Sequence, residues 1–246
     1  MKIICASLLA LLFAGKIFAA DFTADFSTAN QLYAEGKFSD AANLYGKILA
    51  SGKTSPNLLF NYGDAEFKAG KLGMAIAAFR RAELLAPRDA DIRANLDFVR
   101  GQVQGATVRE SRWQDWLGQL TLNEWAMLVA GAFWVTFLLL AARQIRPALG
   151  AKLKGATTIF AALAVLSGAA LGVQAAEQFS NQTAVVIADK ATARSGPFDD
   201  AQTAFDVQDG AELSVLDHHG DWLQVGAGPD KIGWLQKSLV EVLPGA

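Results

Sequence analysis

Thiols are almost missing from this chain. Its single cysteine, Cys5, lies inside the first apolar run. If that run is removed on export, no disulfide, zinc–thiolate site or cysteine nucleophile can form. Cys5 as a lipoprotein anchor would need to end the run, whereas it sits near the start. Histidine is equally scarce, with only the adjacent His218 and His219. Neighbours on a strand point to opposite faces, so these two imidazoles do not converge on a metal and read as a polar hairpin turn. No G-x-S-x-G, H-E-x-x-H or dinucleotide loop is found, and direct redox work would need a thiol or cofactor. The formal net charge is only -2, so no basic surface for nucleic acid is expected. The chain therefore reads as non-enzymatic, with no catalytic residues, metal or cofactor.

Apolar residues are abundant instead, at 52%, and the excess is concentrated in three runs. Residues 1–20 read as a secretory signal: Lys2 gives the charge, Ile3 to Ala14 the apolar stretch, and Ile17, Ala19 and Ala20 a small-residue cleavage region. Lys16 is unusual there, and an uncleaved anchor is the alternative. Either way the following segment is exported.

The other two runs, 122–142 and 156–176, each hold 21 residues, which as helix span about 30 Å, the thickness of a bilayer's hydrocarbon layer. The loop between them, 143–155, carries Arg143, Arg146, Lys152 and Lys154 and no acid. Such loops stay in the cytoplasm, so both ends of the mature chain are expected outside it. Ala164, Gly168 and Gly172 form a small-residue stripe expected to meet Ala126, Ala130 or Gly131, unless the spacing is chance in an Ala-rich helix. Trp113, Trp116 and Trp125 suggest that the linker 106–121 lies along the headgroups. No charged side chain sits mid-span, which disfavours transport.

Residues 21–105 match themselves at an offset of 34: Gly36 with Gly70, Phe38 with Leu72, Ala41 with Ala75, Tyr45 with Phe79. Gly63, Ala65, Gly70, Ala75, Phe79, Ala82 and Pro87 resemble the small, aromatic and terminating positions of the tetratricopeptide repeat. Two repeats and a half-repeat (ADIRANLDFVRGQV) fall short of the three usually needed for independent stability. The module is thus expected to lean on a partner, on self-association or on the membrane interface. The resemblance implies a peptide-binding groove near Asn30, Tyr33, Phe60, Asn61, Asp64, Lys68 and Asn95. Solvated surface or packing is the competing role for each.

Residues 177–246 switch to short strand-like runs with turn chemistry at Ser195-Gly196-Pro197. ARSGP (193–197), DWLQV (221–225), GWL (233–235) and LVEVL (239–243) resemble, in order, the bacterial SH3 domain, a small all-β barrel. That resemblance implies peptide or cell-wall binding, with Arg194, Trp222 and Trp234 as ligand-contacting candidates. The alternative is that the tryptophans pack the barrel and Arg194 braces a turn.

The expected fold class is a multi-domain membrane protein: an all-α repeat, a two-helix transmembrane hairpin and a small all-β barrel. This order resembles the BatE-like proteins of the Bacteroides aerotolerance operon. The resemblance implies a bacterial inner-membrane protein with both domains periplasmic. It also implies partners among membrane-anchored von Willebrand factor A proteins and a MoxR-type AAA ATPase, in envelope stress or aerotolerance. Peptidoglycan is the alternative partner, through the barrel.

Overall fold

The computed structural model describes residues 24–103, 116–180, 182–228 and 231–244; the signal segment 1–20, Trp113 and most of the linker lie outside these residues. Seven helices and a seven-stranded antiparallel sheet make up the described chain.

Five helices form an N-terminal array: α1 (24–34), α2 (Phe38–Ala50), α3 (Pro56–Lys68), α4 (Leu72–Leu85) and α5 (Ala90–Arg100). Local chemistry sets their ends. Ser55 caps α3 by accepting from the Leu58 N–H, with Pro56 in the first turn, and Asp89 caps α5 through the Asp91 and Ile92 N–H groups. Gly36 and Gly70 both take left-handed backbone, φ 77° and 84°. There the Lys37 and Lys71 N–H groups reach back to the Leu32 and Glu66 carbonyls, the Schellman ending that favours glycine. The 34-residue offset thus marks a repeated chain reversal. At Gly63 an added Cβ would stand 3.1 Å from the Phe79 ring, so this glycine lets α3 and α4 pack closely.

Two long helices follow, α6 (Leu122–Ile145) and α7 (Gly150–Ser180). Both are long and apolar enough to cross a bilayer. Leu128, Phe133, Phe137, Leu138, Ile159 and Leu166 are exposed on them, a distribution suited to lipid rather than to a water-facing surface. Thr121 and Glu124 start α6 with a reciprocal capping box, and Pro147 ends it. Much of 143–155 is helical, because α7 starts at Gly150, ahead of its apolar stretch. The small-residue stripe is not the helix contact. A Cβ built on Gly131, Gly168 or Gly172 meets nothing within 4 Å, and Ala126 and Ala130 are exposed. Ala132, Thr157 and Ser167 are buried instead; the two hydroxyls bond their own helix carbonyls and so can enter the contact without leaving an unpaired polar group.

The sheet comprises β1 (Thr183–Val186), β2 (Lys190–Arg194), β3 (Thr203–Gln208), β4 (Glu212–His219), β5 (Trp222–Gly226), β6 (Ile232–Gln236) and β7 (Val240–Leu243), ordered β3-β2-β6-β5-β4-β1-β7. Every strand gives residues to one core that includes Ala184, Ala193, Val207, Leu213, Leu223, Leu235 and Val240, so the sheet curls around it. β3 was not expected from the sequence, where turn residues dominate the preceding stretch.

The array and the β-module are packed together. Ala75, Ile76, Phe79, Leu96 and Val99 share one buried cluster with Val185 and Leu243, and α4 lies against β1 and β7. A Cβ at Gly73 would fall 2.0 Å from the Val186 carbonyl oxygen, so only glycine permits this approach. The helical array therefore has a packing partner within the same chain: β1 and β7 cover apolar surface of α4 and α5.

Candidate functional site

Three places carry the side chains of interest: the junction between array and β-module, the face formed by α1, α3 and α5, and the outer face of β2, β4, β5 and β6.

At the junction, α4 begins without a side-chain cap of its own. Asp209, from the turn before β4, supplies it by accepting from the Leu72 N–H at 2.7 Å and the Gly73 N–H at 2.9 Å. Burial pushes the Asp209 carboxyl up, and these backbone bonds only partly offset that. Beside it, Glu212 is fully buried and receives two 2.8 Å hydrogen bonds from Arg100, while Arg80 Nε lies 3.8 Å away. A buried carboxylate needs such partners. Sequence reasoning missed both acids. The missing cap before Leu72 was the one available signal for Asp209; a lone glutamate in a strand gives none.

On the second face, α1 and α3 meet at an offset of 31. Asn61 Nδ2 donates to Asn30 Oδ1 at 3.1 Å, and Tyr33 Oη donates to Asp64 Oδ2 at 2.5 Å. Asn30 Oδ1 also accepts from the buried Tyr45 hydroxyl. Burial and the Asp64 contact raise the Tyr33 phenol. Asn30 and Asn61 thus form one hydrogen-bonded group with Tyr45, and Tyr33 with Asp64 forms a second between the same two helices. The other three candidates stand apart. Phe60 packs edge-on to Phe79, with centroids 5.5 Å apart. Lys68 is exposed, its ammonium 5.8 Å from the Phe67 ring. Asn95 donates to the Asp91 carbonyl of its own helix. Phe98, absent from the sequence-based set, is 55% exposed and touches Phe67 edge-on. Between α2, α3, α4 and β7 a cleft of about 260 Å³ is lined by Leu49, Tyr62, Met74, Ala78, Arg81 and Glu241.

The third face gathers all three β-module candidates. Trp222, Gln224, Trp234 and Gln236 alternate with buried Leu223, Val225, Gly233 and Leu235 along β5 and β6. Register places Gln224 opposite Trp234, Trp222 opposite Gln236, and Arg194 opposite Trp234. The indoles therefore lie diagonally on the outer face and take no part in the buried core cluster. Arg194 braces a turn from there, its Nη1 donating to the Ala201 carbonyl at 2.9 Å. His219 stands edge-on to Trp234 at 6.3 Å, while His218 meets Gln182, so the two histidines diverge. No group of three potential ligands placed to hold a metal occurs among the described residues.

The array also touches the start of α6. Arg88 donates to the Gln119 carbonyl and to Glu124, and Trp125 Nε1 donates to the Leu117 carbonyl while its ring meets Trp116. No protein-family model matches the chain, nor does any curated protein.

Proposed function

We propose that this chain is a non-catalytic scaffold anchored in the bacterial cytoplasmic membrane by α6 and α7, presenting a tetratricopeptide-like array and an SH3-like module on the periplasmic side. The observation that carries this reading is the shared buried cluster joining Phe79 and Leu96 to Val185 and Leu243. It makes the two modules one platform, and the face of α1, α3 and α5 and the outer face around Trp234 remain available on it. Arg143, Arg146, Lys152 and Lys154 between the apolar helices support a cytoplasmic bend. The domain order favours partners of the von Willebrand factor A class with a MoxR-type AAA ATPase, in envelope-stress or aerotolerance work.

The test is affinity purification of the full chain from membranes in mild detergent, beside a Lys68→Glu/Phe98→Asp variant. The reading expects co-purified membrane-anchored partners that the variant loses; equal recovery from both would remove the array as the docking surface. A second reading, in which the β-module grips peptidoglycan, is favoured by the convergence of Arg194, Trp222 and Trp234 on one face. Sedimentation of the detergent-solubilised chain with purified cell walls decides it, and a Trp234→Ala variant that still sediments would exclude this face.

A further inference from the structure

The β-module is used unequally. The β1–β7 side of its sheet is covered by α4 and α5, while β5, β6 and β2 lie toward the other edge. Across that uncovered half run two cross-strand rows. One holds Asp217, Gln224, Trp234, Arg194 and Thr203 in successive register, and the other His219, Trp222 and Gln236. The centre is a checkerboard of two indoles and two primary amides.

Charge at the rim is one-sided. Residues 182–244 contain ten acids and only four lysines or arginines. Asp209 and Glu212 are taken up by the array. On the open half, Asp206 sits beside Thr192, Asp199 accepts from Gln236, Asp217 lies opposite Gln224, and Asp221 precedes Trp222. Among the described residues no ion pair involves any of these four. Two of the four cations are engaged with backbone of their own module: Arg194 donates to the Ala201 carbonyl and Lys237 to the Gly220 carbonyl.

We infer that this face binds a basic, extended peptide segment of a protein partner, with lysine or arginine side chains over Trp222 and Trp234 and within reach of the aspartate rim. Indoles attract cations through their ring faces, and surface carboxylates outside any ion pair supply the complementary field. The amides of Gln224 and Gln236 can each both donate to and accept from a peptide backbone. A neutral saccharide would use the indoles but not the acidic rim, and the same rim repels anionic headgroups. The inference rests on the reading of this module as an interaction domain and names its partner's chemistry.

The test uses the full chain in nanodiscs of zwitterionic lipid and fluorescence anisotropy with three labelled peptides of about twelve residues: glycine alternating with lysine or arginine, with glutamate or aspartate, and with serine or asparagine. The basic peptide is expected to bind best and to weaken about tenfold between about 50 and about 300 mM salt. Trp234→Ala and Asp217→Asn/Asp221→Asn should each weaken it at least about fivefold without moving the thermal midpoint. Equal binding of basic and neutral peptides, or full binding by Trp234→Ala, would overturn the inference. That outcome would leave the co-purification of partners through the array unaffected, so the two readings fail separately.

Discussion

Arg100 and Glu212, 112 positions apart, meet through two hydrogen bonds of 2.8 Å around a carboxylate with no solvent exposure. Two apolar helices separate them in the chain, yet this contact helps define how the modules sit together. Arg100→Met should destabilise the folded chain by about 3–5 kcal/mol, because it leaves a buried charge largely uncompensated. Replacing Arg80, Glu212 and Arg100 together with Met, Leu and Met should recover most of that loss. Thermal unfolding in detergent measures both, and an unmoved midpoint for the single variant would show that the pair does not hold the junction.

Gly73→Ala should be more disruptive than its size suggests. The new methyl would meet the Val186 carbonyl at 2.0 Å and Asp209 Oδ1 at 2.6 Å. Backbone on both sides must shift, so the modules should part and the chain become more sensitive to limited proteolysis. Gly131→Ala, with nothing within 4 Å, should leave protease resistance unchanged. Equal behaviour of the two variants would refute close packing at Gly73.

Asp209 gives the junction a pH dependence of definite sign. Burial raises its carboxyl in the folded chain above the ordinary value near 3.9. A raised carboxyl makes its greatest contribution to stability below the unfolded-state pKa and loses it as pH rises through the folded-state pKa. Acidification from neutrality should therefore not loosen the junction through this group. The difference in melting midpoint between wild type and Asp209→Asn should change across that window and be flat above it; a difference that grows toward neutral pH in favour of the wild type would contradict the sign.

The polar network on the array separates structural from binding roles. Asn30→Ala strips the acceptor from the buried Tyr45 hydroxyl and from Asn61, and should cost about 1–3 kcal/mol. Asn95→Ala removes only a bond to its own helix and should leave stability within about 0.5 kcal/mol. Denaturant titrations of the two variants would separate them, and equal losses would mean that the network does not stabilise α1 against α3.

Some of this was legible in the sequence and some was not. The apolar lengths of α6 and α7, the glycine-marked offset of 34 and the alternation around Trp222 and Trp234 follow from local periodicity, which one chain segment carries by itself. The junction does not. Glu212 and Asp209 look like ordinary surface acids until residues from another element surround them, since carboxylates are rarely buried without partners. The helix contact was misplaced for a related reason: small residues state where two backbones could approach, while Ala132 and Ser167 show where they do. Arg194, Trp222 and Trp234 could be chosen singly from the sequence, but only strand register places them together.

The support that Val185 and Leu243 give to α4 and α5 also bears on biogenesis. β1 and β7 follow both apolar helices in the chain, so until they are made Ile76 and Val99 lack this cover. Any chain in which the β-module cannot reach α4 and α5 would therefore display an unfinished apolar surface there.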